Sequence, residues 1–381
     1  MAAAAEVALP AAVTLAQAAA PTATTPDQAL VQAAFGQGLR VQGQAGDLAM
    51  QLRGFLQMRA AISANDADPK PGITQRHAQV HWNGTAASSQ LQWRLQFGFA
   101  PTELKRNSIG ALQDAYARYT GRKGLFMQAG RFKLPYRRQR LYHVSVLQLT
   151  DLSIATNELH LGRDVGVTGG SDDVFGSGGH LALQGFVIVN QAAALGVRAQ
   201  VRPFGSFDET TEADVSRSTR PGLVIGGSAV LHLDATHSKG THGEPFTGKG
   251  MTYEHLAADV LFKYAGFSLA GEWLWRQAQN DSEVVTLGDT LVRNFSRSAW
   301  DAHVQAVQMI GASWQAAARY AELHRIGDTD PTLLSQRELA AGASLFFAGH
   351  NLKVQGEVSW LSPKDLKDGS FATRAQAQLY F

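Results

Sequence analysis

The segment FATRAQAQLYF, residues 371–381, alternates in polarity at every step. Phe371, Thr373, Ala375, Ala377, Leu379 and Phe381 share one face of an extended chain, and Arg374, Gln376, Gln378 and Tyr380 share the other. Strand side chains repeat every two residues, so this pattern makes a β-strand with one dry and one wet face. A soluble antiparallel sheet can look like this. So can the closing strand of a barrel, which must pair with the first strand to complete the sheet.

The same rule holds upstream. In DLAMQLRGFLQMRAAI, Leu48, Met50, Leu52, Leu56 and Met58 oppose Gln51, Arg53, Gln57 and Arg59. In SQLQWRLQFGFA, Leu91, Trp93, Leu95, Phe97 and Phe99 oppose Gln90, Gln92, Arg94 and Gln96. Further alternating segments lie near 73–84, 110–121, 124–133, 163–170, 178–189, 196–204, 222–234 and 250–264. Others lie near 267–279, 299–311, 312–325, 334–348 and 350–362. With 47–62, 89–100 and 370–381 they total about sixteen strands, an even number in the range of membrane barrels.

Composition narrows the choice. Hydrophobic content is 45%, yet no stretch reaches the ~20 uninterrupted apolar residues of a membrane helix. If the chain spans a membrane, it does so as an antiparallel β-barrel. The Ala-rich start, with Pro10 and Glu6 and no basic n-region, reads either as a signal remnant or as a flexible terminus. We assign residues 1–40 to that stretch and 41–381 to the barrel. Short connections at Asn83-Gly84-Thr85, Gly121-Arg122-Lys123-Gly124 and Gly349-His350-Asn351 suit tight periplasmic turns. The long polar stretches at 203–222, 234–250 and 277–297 suit the outer face.

The chain carries no cysteine, which excludes disulfides, thiolate metal sites and Cys nucleophiles. It shows no Gly-x-Ser-x-Gly elbow, Walker loop or His-Glu-x-x-His, so no enzyme, cofactor or nucleic-acid partner is expected. His77 and His81 share a strand face ~13 Å apart, too far for one metal ion. Net charge is +2, so any preference for charged solutes must come from where charges sit.

The densest basic cluster is Arg131–Arg140, RFKLPYRRQR, at the head of a connection reaching about Leu161. As a plain solvated loop it would do nothing. Folded into a barrel lumen, it would bring Lys133, Arg137, Arg138 and Arg140 to the narrowest point, where rings of cations replace the hydration of a passing anion. Arg53, Arg59, Arg94, Arg118 and Arg374 have lumen parity and form either a guiding ladder or a set of ion pairs with acids such as Asp114. Trp82, Trp93, Phe97, Trp273, Trp275 and Trp314 read as lipid-facing or girdle residues.

GALQDAYARYTGRKGLFMQAGRFKLPYRRQRL, continuing through LHLGRDVGVTGG, resembles the phosphate-selective porins O and P. QRHAQVHWNGTAASSQLQWRLQFGF looks like that family's second and third strands, and QAQLYF like its closing strand. The resemblance covers roughly residues 47–170 and the last strand. It implies a sixteen-stranded homotrimer of the Gram-negative outer membrane, surrounded by lipid, with an inward-folded constriction loop. A family Arg-Arg pair is Arg76-His77 here, and a lumen Arg is Phe55, with Arg53 two residues away. The implied function is passive diffusion of small anions, phosphate or polyphosphate, past Lys133, Arg137, Arg138, Arg140, Arg76 and His77. The alternatives are a non-specific or carbohydrate porin, and a structural or adhesive barrel with a plugged lumen.

Overall fold

The computed structural model describes residues 30–43, 48–63, 71–105, 110–121, 124–190, 192–363 and 369–381. A short hairpin, β1 (Leu30–Ala34) and β2 (Gly38–Gln42), comes first. The long strands follow as β3 (Leu48–Ser63), β4 (Gly72–Ala86), β5 (Ser88–Gly98), β6 (Leu112–Thr120) and β7 (Leu125–Lys133). Next are β8 (Arg163–Ser171), β9 (Leu181–Val189), β10 (Ala193–Val201), β11 (Gly222–Ala235), β12 (Met251–Tyr264) and β13 (Phe267–Ala278). A second small hairpin, β14 (Ser282–Leu287) with β15 (Thr290–Phe295), precedes β16 (Ala299–Ile310), β17 (Trp314–Arg325), β18 (Gln336–Phe346), β19 (Leu352–Pro363) and β20 (Ser370–Tyr380).

Sixteen of these strands form a closed antiparallel barrel. Each pairs with its neighbour, from β3 through β13 and on from β16 to β20. The seam is β20 on β3, from Ala372↔Ser63 to Tyr380↔Phe55. Beyond it, Gly54 and Phe381 exchange two backbone hydrogen bonds of 2.7 and 2.9 Å. A Cβ at Gly54 would meet the Phe381 ring at 2.5 Å, so the seam closes because position 54 has no side chain. All sixteen sequence-derived strands appear at these places.

Parity decides the faces. Leu52, Leu56, Met58 and Ile62 point outward and are exposed, as are Trp82, Trp273, Trp314, Phe371 and Phe381. Gln57, Arg59, Gln376 and Gln378 point inward and are buried. An apolar exterior around a polar interior is the arrangement of an outer-membrane barrel, since lipid cannot solvate exposed polar groups.

Three expectations about connections need revision. Asn83, Gly84 and Thr85 continue β4, and the turn falls at Ala87, which adopts φ 61°. The stretch 277–297 contains the hairpin β14–β15 and is not a plain loop. Most important, 202–221 does not lie with the long loops. Antiparallel strands alternate direction, so its end is fixed by counting: it shares the end of the β12–β13 turn, to which it is bonded from Ala265 N to Ser218 O. We call this the turn end; the long 134–162 and 236–250 connections lie at the opposite, loop end. Loop length suggests an end, and only strand parity assigns it.

Of the stretch assigned to residues 1–40, residues 1–29 lie outside the described residues, as do Arg122 and Lys123 of the second turn. Residues 30–42 form the first hairpin, and β2 joins the turn-end part of β3 from Leu39↔Leu52 to Gln42↔Ala49. The expected boundary at residue 40 thus falls within a paired strand.

Candidate functional site in the barrel lumen

The long connection between β7 and β8 leaves the wall at Leu134 and runs against inward side chains on several strands. Its helix α2 (Arg138–Leu141) carries the end of the basic cluster, Arg138 and Arg140, and α3 (Ile154–Leu159) begins where the Ser153 hydroxyl accepts from Thr156 N at 2.9 Å, an N-cap. Ile154 N donates to Glu338 on β18, Thr150 N to Glu357 on β19, and Lys353 Nζ on β19 donates to Leu147 O. These strands lie across the barrel from β7, so the segment occupies the lumen. Leu134, Tyr136, Leu149 and Leu159 are buried there.

The basic residues of this segment are brought into the lumen and are largely paired. Arg137 is 1% exposed and donates from Nε to Glu272 on β13 at 2.8 Å, and to Thr156. Arg138 donates to Asp259 on β12 at 2.8 Å and to Glu209 at 2.9 Å. Lys133 Nζ donates to Tyr142 O at 2.6 Å, closing the loop on itself. Arg140 is half-buried at the end of α2.

Arg76 and His77 both face inward although they are neighbours. A bulge explains this: Gln57 pairs with His77 and Met58 with Gln75, leaving Arg76 as the extra residue. Arg76 and Arg59 share Asp151 at 3.0 and 2.8 Å. Burial pushes the Asp151 carboxyl up, but the two arginines outweigh it and hold it well below the usual carboxylate range. His77 Nδ1 lies 2.8 Å from Glu103 on α1 (Pro101–Lys105).

The wall arginines divide. Arg374 pairs with Glu357 at 2.8 Å. Arg94 and Arg163 share Asp114, the partner foreseen for the ladder, at 3.7 and 2.6 Å. Arg118 lies over the Phe126 ring at 3.9 Å, and Arg53 over Tyr380 at 3.6 Å. Arg53 and Arg94 line a cavity of about 650 Å³ at the turn end, with Arg40, Gln51, Tyr116 and Tyr380. No carboxylate lines it among the described residues. Phe55 is buried beside His77, His143 and Tyr380, so the position read as a lost arginine is an aromatic plug in the wall.

Sequence reasoning missed the loop-end cluster around Glu158 on α3, which holds Arg276 at 2.9 Å, Arg297 at 2.8 Å and Lys239 at 2.6 Å. Burial raises that carboxyl, yet Arg276, Arg297 and Lys239 outweigh it and hold it near about 2. It also missed Arg198, which pairs with Asp259 at 2.6 Å. That pair crosses Gly226, where a Cβ would meet the guanidinium at 2.7 Å. Parity on β10, β13 and their neighbours marks such residues as inward; nothing in the sequence marks their partners. Asp301 differs from the others: it is fully buried, and neither carboxylate oxygen has a hydrogen-bond partner among the described residues.

The barrel is similar to solved outer-membrane proteins. OmpF of Salmonella typhi, in complex with daunomycin, aligns with TM-score 0.55 and 14% identity over 88% of this chain and 98% of its own. DcaP, an outer membrane channel of Acinetobacter baumannii, aligns with TM-score 0.56 and 11% identity over 89% and 99%. OmpT of Vibrio cholerae in its trimer form aligns with TM-score 0.57 and 9% identity over 88% and 99%. The fold is porin-like. No family model and no curated protein matches the sequence. The phosphate-selective family therefore enters below only as a proposal.

Proposed function

We propose that this chain is a passive-diffusion channel of the outer membrane that favours small anions. One observation carries the preference for anions: in three lumen clusters the cations outnumber the carboxylates. Asp151 serves Arg59 and Arg76, Asp259 and Glu209 serve Arg138, Arg198 and Arg202, and Glu158 and Asp330 serve Arg276, Arg297 and Lys239. Each cluster keeps a net positive charge even when every cation is paired. A lumen with low-dielectric walls focuses that field, so the local concentration of anions rises without a free arginine ring. The three arginines of the turn-end cavity add to the same potential.

Phosphate and polyphosphate are the solutes the family resemblance favours, Arg137, Arg138 and Arg140 being the loop cations that would meet them, with Lys133, Arg76 and His77. A homotrimer is the assembly we propose, since a trimeric form is described for OmpT. The test is single-channel recording in planar bilayers under a KCl gradient. A reversal potential set by chloride supports the proposal. A cation-selective or unselective pore overturns it and leaves the non-specific or carbohydrate porin. Inhibition of chloride current by millimolar phosphate would support the finer assignment to phosphate.

A second reading has its own support. Arg137, Arg276 and Lys353 are at most 1% exposed although they face a lumen, as expected of a barrel whose interior is filled. A structural barrel with a plugged lumen gives no stable conductance, so the same recording separates the two.

A further inference from the structure

Residues 202–221 leave the wall at the turn end and reach into the lumen from the side opposite the long 134–162 loop. The segment is tied to the β12–β13 turn: Asp214 accepts from Ser218 N and Gly266 N at 2.8 Å each. Their tip is deep. Ala213 is 1% exposed and packs with Leu149 of the long loop and with Val307, Ala317 and Ala340 of β16, β17 and β18. Lys263 on β12 donates to Asp208 O and Thr211 Oγ1 at 2.9 Å each, fixing the approach.

The two loops meet through acids on one and the basic cluster on the other. Glu209 accepts from Arg138 Nη1 at 2.9 Å and also pairs with Arg202. Glu212 accepts from Gln139 at 3.0 Å, from Gln148 N at 3.3 Å and from Gln305 on β16 at 3.0 Å. Thus Gln139, beside the basic residues at the head of the long loop, is held by the second loop. Glu212 is 2% exposed, and among the described residues its hydrogen bonds come from neutral groups, Gln139, Gln148 N and Gln305.

We propose that the aperture is built by two loops entering from opposite ends, and that Glu209 and Glu212 set its charge by opposing Arg138 and its neighbours. This rests on the diffusion-channel reading and adds the residues that tune its selectivity. The segment 202–221 is then a specificity-determining element, and the anion preference of the channel is what remains after its carboxylates have been subtracted.

The full-length protein, reconstituted in planar bilayers, tests this with Glu209→Gln and Glu212→Gln, which keep size and hydrogen-bonding oxygens. The chloride-to-potassium permeability ratio should rise by about two- to ten-fold, the scale of one unit charge acting over several ångströms in a partly wet lumen. The chain has no cysteine, so Ala213→Cys offers a readout independent of current. A bulky, membrane-impermeant maleimide should label it far more slowly than Thr219→Cys in the same exposed loop base.

Rapid labelling of Ala213→Cys overturns the inserted loop. Slow labelling with unchanged selectivity in both Gln variants overturns the charge-setting role. A wild-type pore without anion preference, whose Gln variants nevertheless shift toward chloride, supports the two-loop aperture and sinks the anion reading alone. Absence of conductance in wild type and in both variants overturns the aperture itself.

Discussion

Arg137 shows what a lumen-facing charge requires of its surroundings. With its guanidinium buried against Glu272 and Thr156, truncation leaves an uncompensated carboxylate in a water-poor site. Arg137→Ala should therefore cost about 3–5 kcal/mol in denaturant unfolding. Arg118→Ala, which removes only a half-buried guanidinium from the Phe126 ring, should cost under about 1 kcal/mol. Glu158 makes a pH prediction. Its folded carboxyl is held near about 2, against about 4.3 in an unfolded chain. A depressed folded value stabilises fully above the unfolded one, and that contribution is lost as pH falls from about 4.3 toward 2. Thermal midpoints by circular dichroism should drop across that window, and the drop should shrink in Glu158→Gln, which lacks the titrating group. The inward parity of Arg59, Arg94 and Arg374 was legible in the sequence. Their pairing was open: Asp114 and Glu357 sit on the neighbouring strands β6 and β19, where the pairing register sets the contact, and Asp151 comes from the long connection between β7 and β8.

At the scale of elements, period-two alternation located every barrel strand, because lipid on one side and water on the other impose it on each strand separately. Connections obey no such local rule. Gly84 looked like a turn residue and proved to be a strand position, where a Cβ would strike the Ala49 carbonyl. The 202–221 segment looked extracellular by length and composition, yet it starts and ends at the turn end. The bulge that turns both Arg76 and His77 inward is likewise a property of two strands together. The seam gives a prediction at this scale. Gly54→Val would push a branched side chain into the Phe381 ring and should destabilise closure by about 1–3 kcal/mol. Heat-modified migration on gels should then begin at lower temperature, whereas Gly72→Val, with open space around its Cβ, should migrate as wild type.

For the whole molecule, the anion preference we propose is a property of the summed lumen field rather than of any one arginine. Asp151→Asn leaves Arg59 and Arg76 without their shared carboxylate, so reversal potentials should move toward chloride, and an unchanged value would mean this cluster lies off the conduction path. The sequence by itself determined the architecture. Strand number and the two faces of each strand follow from side-chain periodicity, and the lack of a membrane helix leaves only a barrel if the chain spans a membrane; which face is wet was implied by the family resemblance, since a soluble sheet alternates in the same way. Tertiary structure alone decided the contacts: which carboxylate meets which guanidinium, that Arg137 and Arg138 of the basic cluster are ion-paired, and that Glu209 of the 202–221 segment meets Arg138. The physical reason is range. Alternation is local and repeats along one strand, whereas the charge of an aperture is the sum of residues up to about three hundred positions apart, brought within a few ångströms only when the barrel closes.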